Sequence, residues 1–178
     1  MTNTTIRWGN GYDDARESKK RLNLLKKDIA SDTRAIENPT ALDLGANIGF
    51  FSHGLADMGL RVTAVEPPSD KDLSHPGVVE YRHWVQSSDD LPEGPFHYAI
   101  VLSVLHHIPQ WRDVLEGVFD RTQRRVYVEV PHTAEHHEKW HGSRKQYEYL
   151  KNMENSRVIG EHYEVSKRYK RPLFRVDL

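Results

Sequence analysis

Residues 40–67, TALDLGANIGFFSHGLADMGLRVTAVEP, constrain the fold of this chain more than any other stretch. Apolar runs over residues 40–45 and 61–66 flank a helical segment at 48–58, with Gly45 and Gly49 in the turn before it and Gly59 at the left-handed cap position after it. Strand, helix and strand in that order make a parallel pair joined by a right-handed crossover. The second strand ends on an acid, Glu66.

The alternation continues down the chain. Strands are expected at 78–85 (VVEYRHWV), 97–102 (HYAIVL) and 125–130 (RVYVEV), and between the last two Pro109 opens a helix whose apolar face is Trp111, Val114, Leu115, Val118 and Phe119. Residues 67–77 and 86–96 hold too much proline, glycine and aspartate for full helices, so the second and third crossovers are expected to be shortened to loops or single turns. Upstream, Ala15, Leu22, Leu25, Ile29 and Ile36 mark one amphipathic helix over 13–36, begun by Asp13 or Asp14 and stopped before Pro39. Downstream, Ser143 to Gln146 reads as a capping box that opens a helix to about residue 153. EHYEVS and RPLFRVDL, separated by KRYK, then read as a closing hairpin.

At 178 residues the expectation is one domain, 1–178, with residues 1–39 as a helical cap on an α/β core over 40–178. The absence of cysteine excludes disulfides, thiolate metal sites and a cysteine nucleophile, so any chemistry must use oxygen and nitrogen groups. A net charge of -1 does not call for a polyanionic partner, and Lys19-Lys20-Arg21, Lys26-Lys27 and Lys167 to Arg171 read as solvated basic islands. With no apolar run of 18 residues and no signal-like amino terminus, a soluble cytoplasmic protein without a membrane partner is expected.

Ligands of open parallel sheets sit beyond the carboxyl ends of the strands, where the strand order reverses. DLGANIG, residues 43–49, occupies that place. Gly45 lets the backbone pass close to a ligand and Gly49 lets the helix start close on the strand. A dinucleotide turn is G-x-G-x-x-G, whose middle glycine makes room for a pyrophosphate. Asn47 fills that position, which disfavours an NAD-linked oxidoreductase, and Glu66, 17 residues past Gly49, is placed to accept from two ribose hydroxyls. The pattern calls for a nucleoside without a diphosphate.

D-x-G-A-N-x-G followed by V-x-A-V-E-P resembles the cofactor motif of class I S-adenosylmethionine-dependent methyltransferases, in the variant common among FkbM-type enzymes. VLSVLHHIPQW resembles the fourth-strand motif of the UbiE/UbiG-like groups. The resemblance covers residues 40–178 and implies a Rossmann-like α/β domain with a mixed seven-strand sheet, an antiparallel last strand and helices on both faces. It implies S-adenosylmethionine as cofactor, with Gly45, Ala46 and Asn47 toward its methionine part and Asp43 positioning the turn or meeting the amino group. Gly49 and Pro67 complete the two motifs, Glu66 holds the ribose, Trp84, Val85 and Gln86 flank adenine, and Ser103 and His106 line the methyl-bearing end.

For an oxygen or nitrogen acceptor a base near neutral pH is useful, and histidine suits it. His106 and His107 follow the fourth strand at the catalytic edge, and Glu129 and His132 end the fifth strand across the same cleft, so these four are the catalytic candidates. Residues 132–142, HTAEHHEKWHG, read as a lid or binding loop. The same residues spell H-x-x-E-H, but a zinc protease needs a firm helix and a third ligand, so no metal is expected. The expected activity is methyl transfer to a small-molecule, sugar or nucleotide-type acceptor, with basic groups of the KRYKR turn suited to a phosphorylated one. The alternatives are a catalytically silent cofactor-binding partner subunit and a nucleic-acid methyltransferase.

Overall fold

The computed structural model describes residues 15–135, 141–163 and 168–178. The expected start of the first helix at Asp13 or Asp14 therefore lies outside the described residues, as do His136 and His137. Seven strands form one sheet: β1 (Thr40–Leu44), β2 (Arg61–Glu66), β3 (Val78–Arg82), β4 (Phe96–Leu102), β5 (Thr122–Glu129), β6 (Ser156–Tyr163) and β7 (Lys170–Asp177). Their spatial order is β3-β2-β1-β4-β5-β7-β6. The first five pair in parallel, and β7 runs antiparallel to both β5 and β6, as expected for the last strand.

Helix α1 (Ala15–Thr33) and helix α2 (Phe50–Ala56) cover one face, and α3 (Trp111–Asp120) and α4 (Ser143–Lys151) the other. Period-two alternation divides each inner strand between the two faces. Tyr98 and Ile100 of β4 join Leu25, Ile29 and Leu55 in one cluster, while Ala99 and Val101 join Leu42, Leu115 and Phe174 in the other. Both faces are dry, which accounts for strands that read as near-continuous apolar runs. The approach of α1 to α2 depends on Gly54, where an added Cβ would stand 2.5 Å from Leu22 Cδ2.

The second crossover contains no helix and the third only a 3-10 turn at Ser88–Asp90, so both are shortened as the sequence predicts. Several boundaries differ from expectation. β3 ends at Arg82 instead of residue 85, which leaves Trp84 and Val85 in a loop. β6 begins at Ser156, five residues before the expected 161, because its polar, edge-exposed residues carry little apolar pattern. Ser143 is the first residue of α4, and Gly142, in the left-handed region at φ 70°, is its N-cap. The expected capping box is replaced by backbone and side-chain donors of Gln146, which reach the carbonyls of Gly142 at 2.8 Å and His141 at 2.7 Å. Among the described residues no helix is long and apolar enough to cross a membrane.

Candidate functional site

A cavity of about 220 Å³ opens at the carboxyl ends of β1, β2 and β4. Its wall includes Gly45, Glu66, Pro67, Trp84, Gln86, Ser103 and His107. The cavity sits where the strand order reverses between β1 and β4, the position at which an open sheet leaves a crevice.

The turn after β1 is folded onto the end of β2. The N–H groups of Gly45 and Ala46 both donate to the Val65 carbonyl, at 2.9 and 3.0 Å, and the Asn47 N–H donates to Glu66 Oε2 at 2.9 Å. Gly45 has φ 81° and an added Cβ there would come within 2.9 Å of Val104 in the cavity wall, so both its conformation and its lack of side chain are used. Glu66 is 8% exposed, and its other oxygen receives Lys71 Nζ at 2.6 Å.

Asp43, Ala46, Asn47 and Gly49, all expected at the cofactor, shape this turn from behind and do not border the cavity. Asp43 accepts Ser52 Oγ at 2.5 Å, tying the strand end to α2. Burial pushes its carboxyl up to about 7; the Ser52 hydrogen bonds oppose that rise and the charge of Glu66 adds to it. Gly49 is the left-handed N-cap of α2 at φ 76°, and an added Cβ would lie 2.7 Å from His53 Nε2.

Beside Glu66, whose carbonyl accepts the His83 N–H at 3.1 Å, the loop after β3 presents Trp84, 64% exposed, together with Val85 and Gln86. Two carboxylates organise that loop. Asp90 accepts the N–H groups of Gln86 and Ser87, each at 2.9 Å, and these hold its carboxyl down at about 2. Asp113 of α3 accepts the Ser88 N–H at 2.7 Å.

The two histidines of the fourth-strand motif keep their rings 4.1 Å apart but differ in exposure. A 3-10 turn at Leu105–His107 carries Leu105 and His106 inward and His107 outward, since successive residues of so tight a turn point about a third of a revolution apart. His106 is 3% exposed and does not border the cavity, contrary to its expected place at the methyl-bearing end. Its carbonyl instead accepts the His141 N–H at 2.8 Å. His107 faces the cavity.

Glu129 does not have the character expected of a base. It is fully buried, with Arg21 Nη1 at 2.5 Å and His162 Nε2 at 2.8 Å from one oxygen, and Ser103 Oγ donating to the other. Burial would raise its pKa, but Arg21, then His162 and the hydrogen bonds outweigh that and hold the carboxyl well below the ordinary range. His132 also stands off the cavity. Its ring stacks on Tyr169 at 5.4 Å between centroids, and its backbone N–H donates to Glu135 Oε1 at 2.8 Å. Glu135 is clamped by Arg171, whose Nη2 lies 2.6 Å from Oε2, and Arg171 Nη1 reaches Ser103 Oγ at 3.1 Å. The acid of the H-x-x-E-H spelling is thus engaged by an arginine.

Lys71, Arg21 and His162 have no local sequence signal as site residues, whereas Glu135 and Arg171 belong to the H-x-x-E-H and KRYKR stretches. Arg21 stands in a basic island that reads as solvated surface, and its partner is 108 positions away.

Similarity to known proteins agrees with this geometry. A family model described as a methyltransferase domain matches residues 14–166. Two curated proteins of Escherichia coli, each named as the O-antigen chain terminator bifunctional methyltransferase/kinase WbdD, are 31% identical over 113 residues. That match covers 54% of this chain and 15% of each relative. The structure of WbdD with the kinase inhibitor LY294002 superposes with a TM-score of 0.75 at 26% identity, over 92% of this chain and 42% of that one. Magnesium protoporphyrin IX methyltransferase (ChlM) from Synechocystis PCC 6803 with bound SAH shares the fold, with a TM-score of 0.66 at 14% identity, over 96% of this chain and 90% of that one.

Proposed function

The chain belongs to the methyltransferase domain family, and on that premise we propose that it methylates an oxygen or nitrogen of a sugar-type, small phosphorylated acceptor at the expense of S-adenosylmethionine. The observation that carries the reading is one cavity bounded by a nearly buried carboxylate, Glu66, an exposed indole, Trp84, and the Ser103–His107 edge. A carboxylate suits a ribose diol, an exposed aromatic face suits a flat base, and the close-packed Gly45 turn suits a compact group without a pyrophosphate. These residues fit S-adenosylmethionine. When bound, its sulfonium supplies an electrophilic methyl group, so transfer needs chiefly in-line placement of the acceptor.

In this reading Glu66 holds the ribose, Trp84, Val85 and Gln86 flank the base, and Asn47 and Asp43 act through the shape of the turn. Ser103 borders the methyl-bearing end. Its hydroxyl donates to Glu129 and accepts from Arg171, so its position is set from two sides. His107 takes the acceptor's proton where one must leave, and the ionised Glu129 supports Ser103 without exchanging a proton itself. The acceptor lies toward His132 and the closing strands. There Arg168 stands over Tyr169 at 5.2 Å and Lys170 over Tyr163 at 5.2 Å, a surface of cations and aromatic faces suited to a phosphorylated sugar. That WbdD is named as an O-antigen chain terminator supports a glycan-type acceptor.

Calorimetric titration with S-adenosylmethionine, S-adenosylhomocysteine and NAD, with Glu66→Ala beside the wild type, tests the cofactor part. Binding of the first two alone, lost in the variant, is the expected result; NAD binding would sink the reading. Labelled-methyl transfer to sugars and sugar phosphates tests the acceptor. His107→Ala is expected to lower kcat about a hundredfold or more and to remove a neutral-pH limb from the profile, the usual scale for a lost acid–base group. Charge reversal of Arg168 and Lys170 is expected to raise the KM for phosphorylated acceptors only. A catalytically silent partner is the second reading, favoured by the loss of Glu129 and His106 as bases, and it predicts cofactor binding without transfer.

A further inference from the structure

Lys71 stands on the connection between β2 and β3 with Nζ 2.6 Å from Glu66 Oε1, while Glu66 Oε2 takes the Asn47 N–H at 2.9 Å. Arg82 Nη2 donates to the Lys71 carbonyl at 2.6 Å and so fastens this connection to the end of β3. The lysine side chain is 35% exposed and the glutamate 10%.

A pair with one half-open partner contributes little to stability. Its geometry matters more. An ionised carboxylate has about four lone-pair sites, two on each oxygen. Lys71 occupies a site on one oxygen and Asn47 a site on the other. One site then remains on each oxygen, which is what the two hydroxyls of a vicinal diol require. The carboxylate plane is held by donors from two different segments, the turn after β1 and the connection after β2. With the lysine removed, the Asn47 N–H would be the only restraint on it among the described residues, and rotation about the last side-chain bond would misalign the remaining lone pairs.

We propose that Lys71 is a positioning residue for nucleoside recognition: it orients Glu66 so that the carboxylate presents one acceptor site per oxygen to the ribose diol. The inference rests on the cavity's reading as an S-adenosylmethionine site. It goes beyond that reading by assigning diol selectivity to a residue on a different segment from the carboxylate that contacts the diol.

Isothermal titration of S-adenosylhomocysteine, adenosine and 2′-deoxyadenosine into wild type, Lys71→Met, Lys71→Arg, Glu66→Gln and the Lys71→Met/Glu66→Gln pair tests it. The expected result is that Lys71→Met weakens S-adenosylhomocysteine about five- to tenfold, the scale of one weakened charged hydrogen bond. Its preference for adenosine over 2′-deoxyadenosine shrinks, Lys71→Arg restores both, and Lys71→Met has no effect in the Glu66→Gln background. An equal loss for both nucleosides, tighter binding by Lys71→Met, or an effect that persists without the glutamate would overturn the proposal. Wild-type protein that binds no S-adenosylhomocysteine would overturn the cofactor reading itself, a separate outcome from an indifferent Lys71.

Discussion

Asp43 and Glu129 are both buried carboxyls at strand ends, yet their surroundings drive them to opposite charge states. Asp43 has a hydroxyl partner, Ser52, and among the described residues no cation, so desolvation dominates and its pKa rises from 3.8 to about 7. Glu129 has Arg21 and His162, which more than offset the same desolvation. The consequences for stability have opposite signs. Because the folded state binds the Asp43 proton more tightly than the unfolded state, this residue erodes stability as pH rises from about 4 to 7, with no further loss above that. Glu129 contributes stability above its unfolded value, near 4.5, and loses it as pH falls below. Asp43→Asn can still accept from Ser52 and carries no charge. Thermal unfolding of this variant and the wild type is expected to show a stability gap that widens from pH 5 to pH 7 and then levels off, by as much as a few kcal/mol on the scale of roughly 1.4 kcal/mol per pKa unit. A constant gap would assign the raised pKa to another group.

At the scale of elements, α1 is fastened to the sheet in two ways. Leu25 and Ile29 are fully buried against β4 and β5 residues, and beside them run polar ties along the helix. Asp28 accepts Tyr127 Oη at 2.6 Å and Arg175 Nη1 at 2.8 Å, Asp32 accepts Arg124 Nη1 at 2.9 Å, and Arg21 meets Glu129. The last tie connects the helix to Ser103 at the cavity edge. Removing one member of a buried pair leaves an uncompensated charge, so Arg21→Met is expected to cost about 3–5 kcal/mol in urea unfolding, reduced by whatever His162 recovers. The sign of a second substitution is diagnostic. Glu129→Gln is expected to destabilise the wild type but to stabilise the Arg21→Met protein, because there it removes a charge with too little compensation.

At the scale of the molecule, the sheet order sets the site. Reversal between β1 and β4 leaves a crevice, the Gly45 turn and Glu66 enter it from one side and Ser103 and His107 from the other, so that three separate segments of the chain meet there. A ligand that bridges such separate segments binds only the folded chain and stabilises it by mass action. S-adenosylhomocysteine at a hundred times its Kd is expected to add about 2.7 kcal/mol, a rise of roughly 5–10 °C in Tm for a domain of this size. Glu66→Ala is expected to lose the rise while keeping its own Tm within a few degrees of wild type. A variant that retains the full shift would remove Glu66 from the site.

Much of this was readable from residue order because it depends on local patterning. Alternating apolar runs and an amphipathic helix with its glycine caps specify parallel strands and their crossovers, and proline and glycine density explains why two crossovers are short. The turn over 43–49 and the acid at 66 were likewise legible, since backbone conformation and strand-end placement are properties of a few adjacent residues. The rest depends on which distant groups meet. Glu129 reads as a base until Arg21, 108 positions away, is set against it, and His106 and His107 read alike until one tight turn buries the first and leaves the second at the cavity. Lys71 is an ordinary loop lysine in sequence and a partner of Glu66 only in space. The charge state and orientation of a side chain follow from burial and neighbours, and those are assigned by tertiary packing alone.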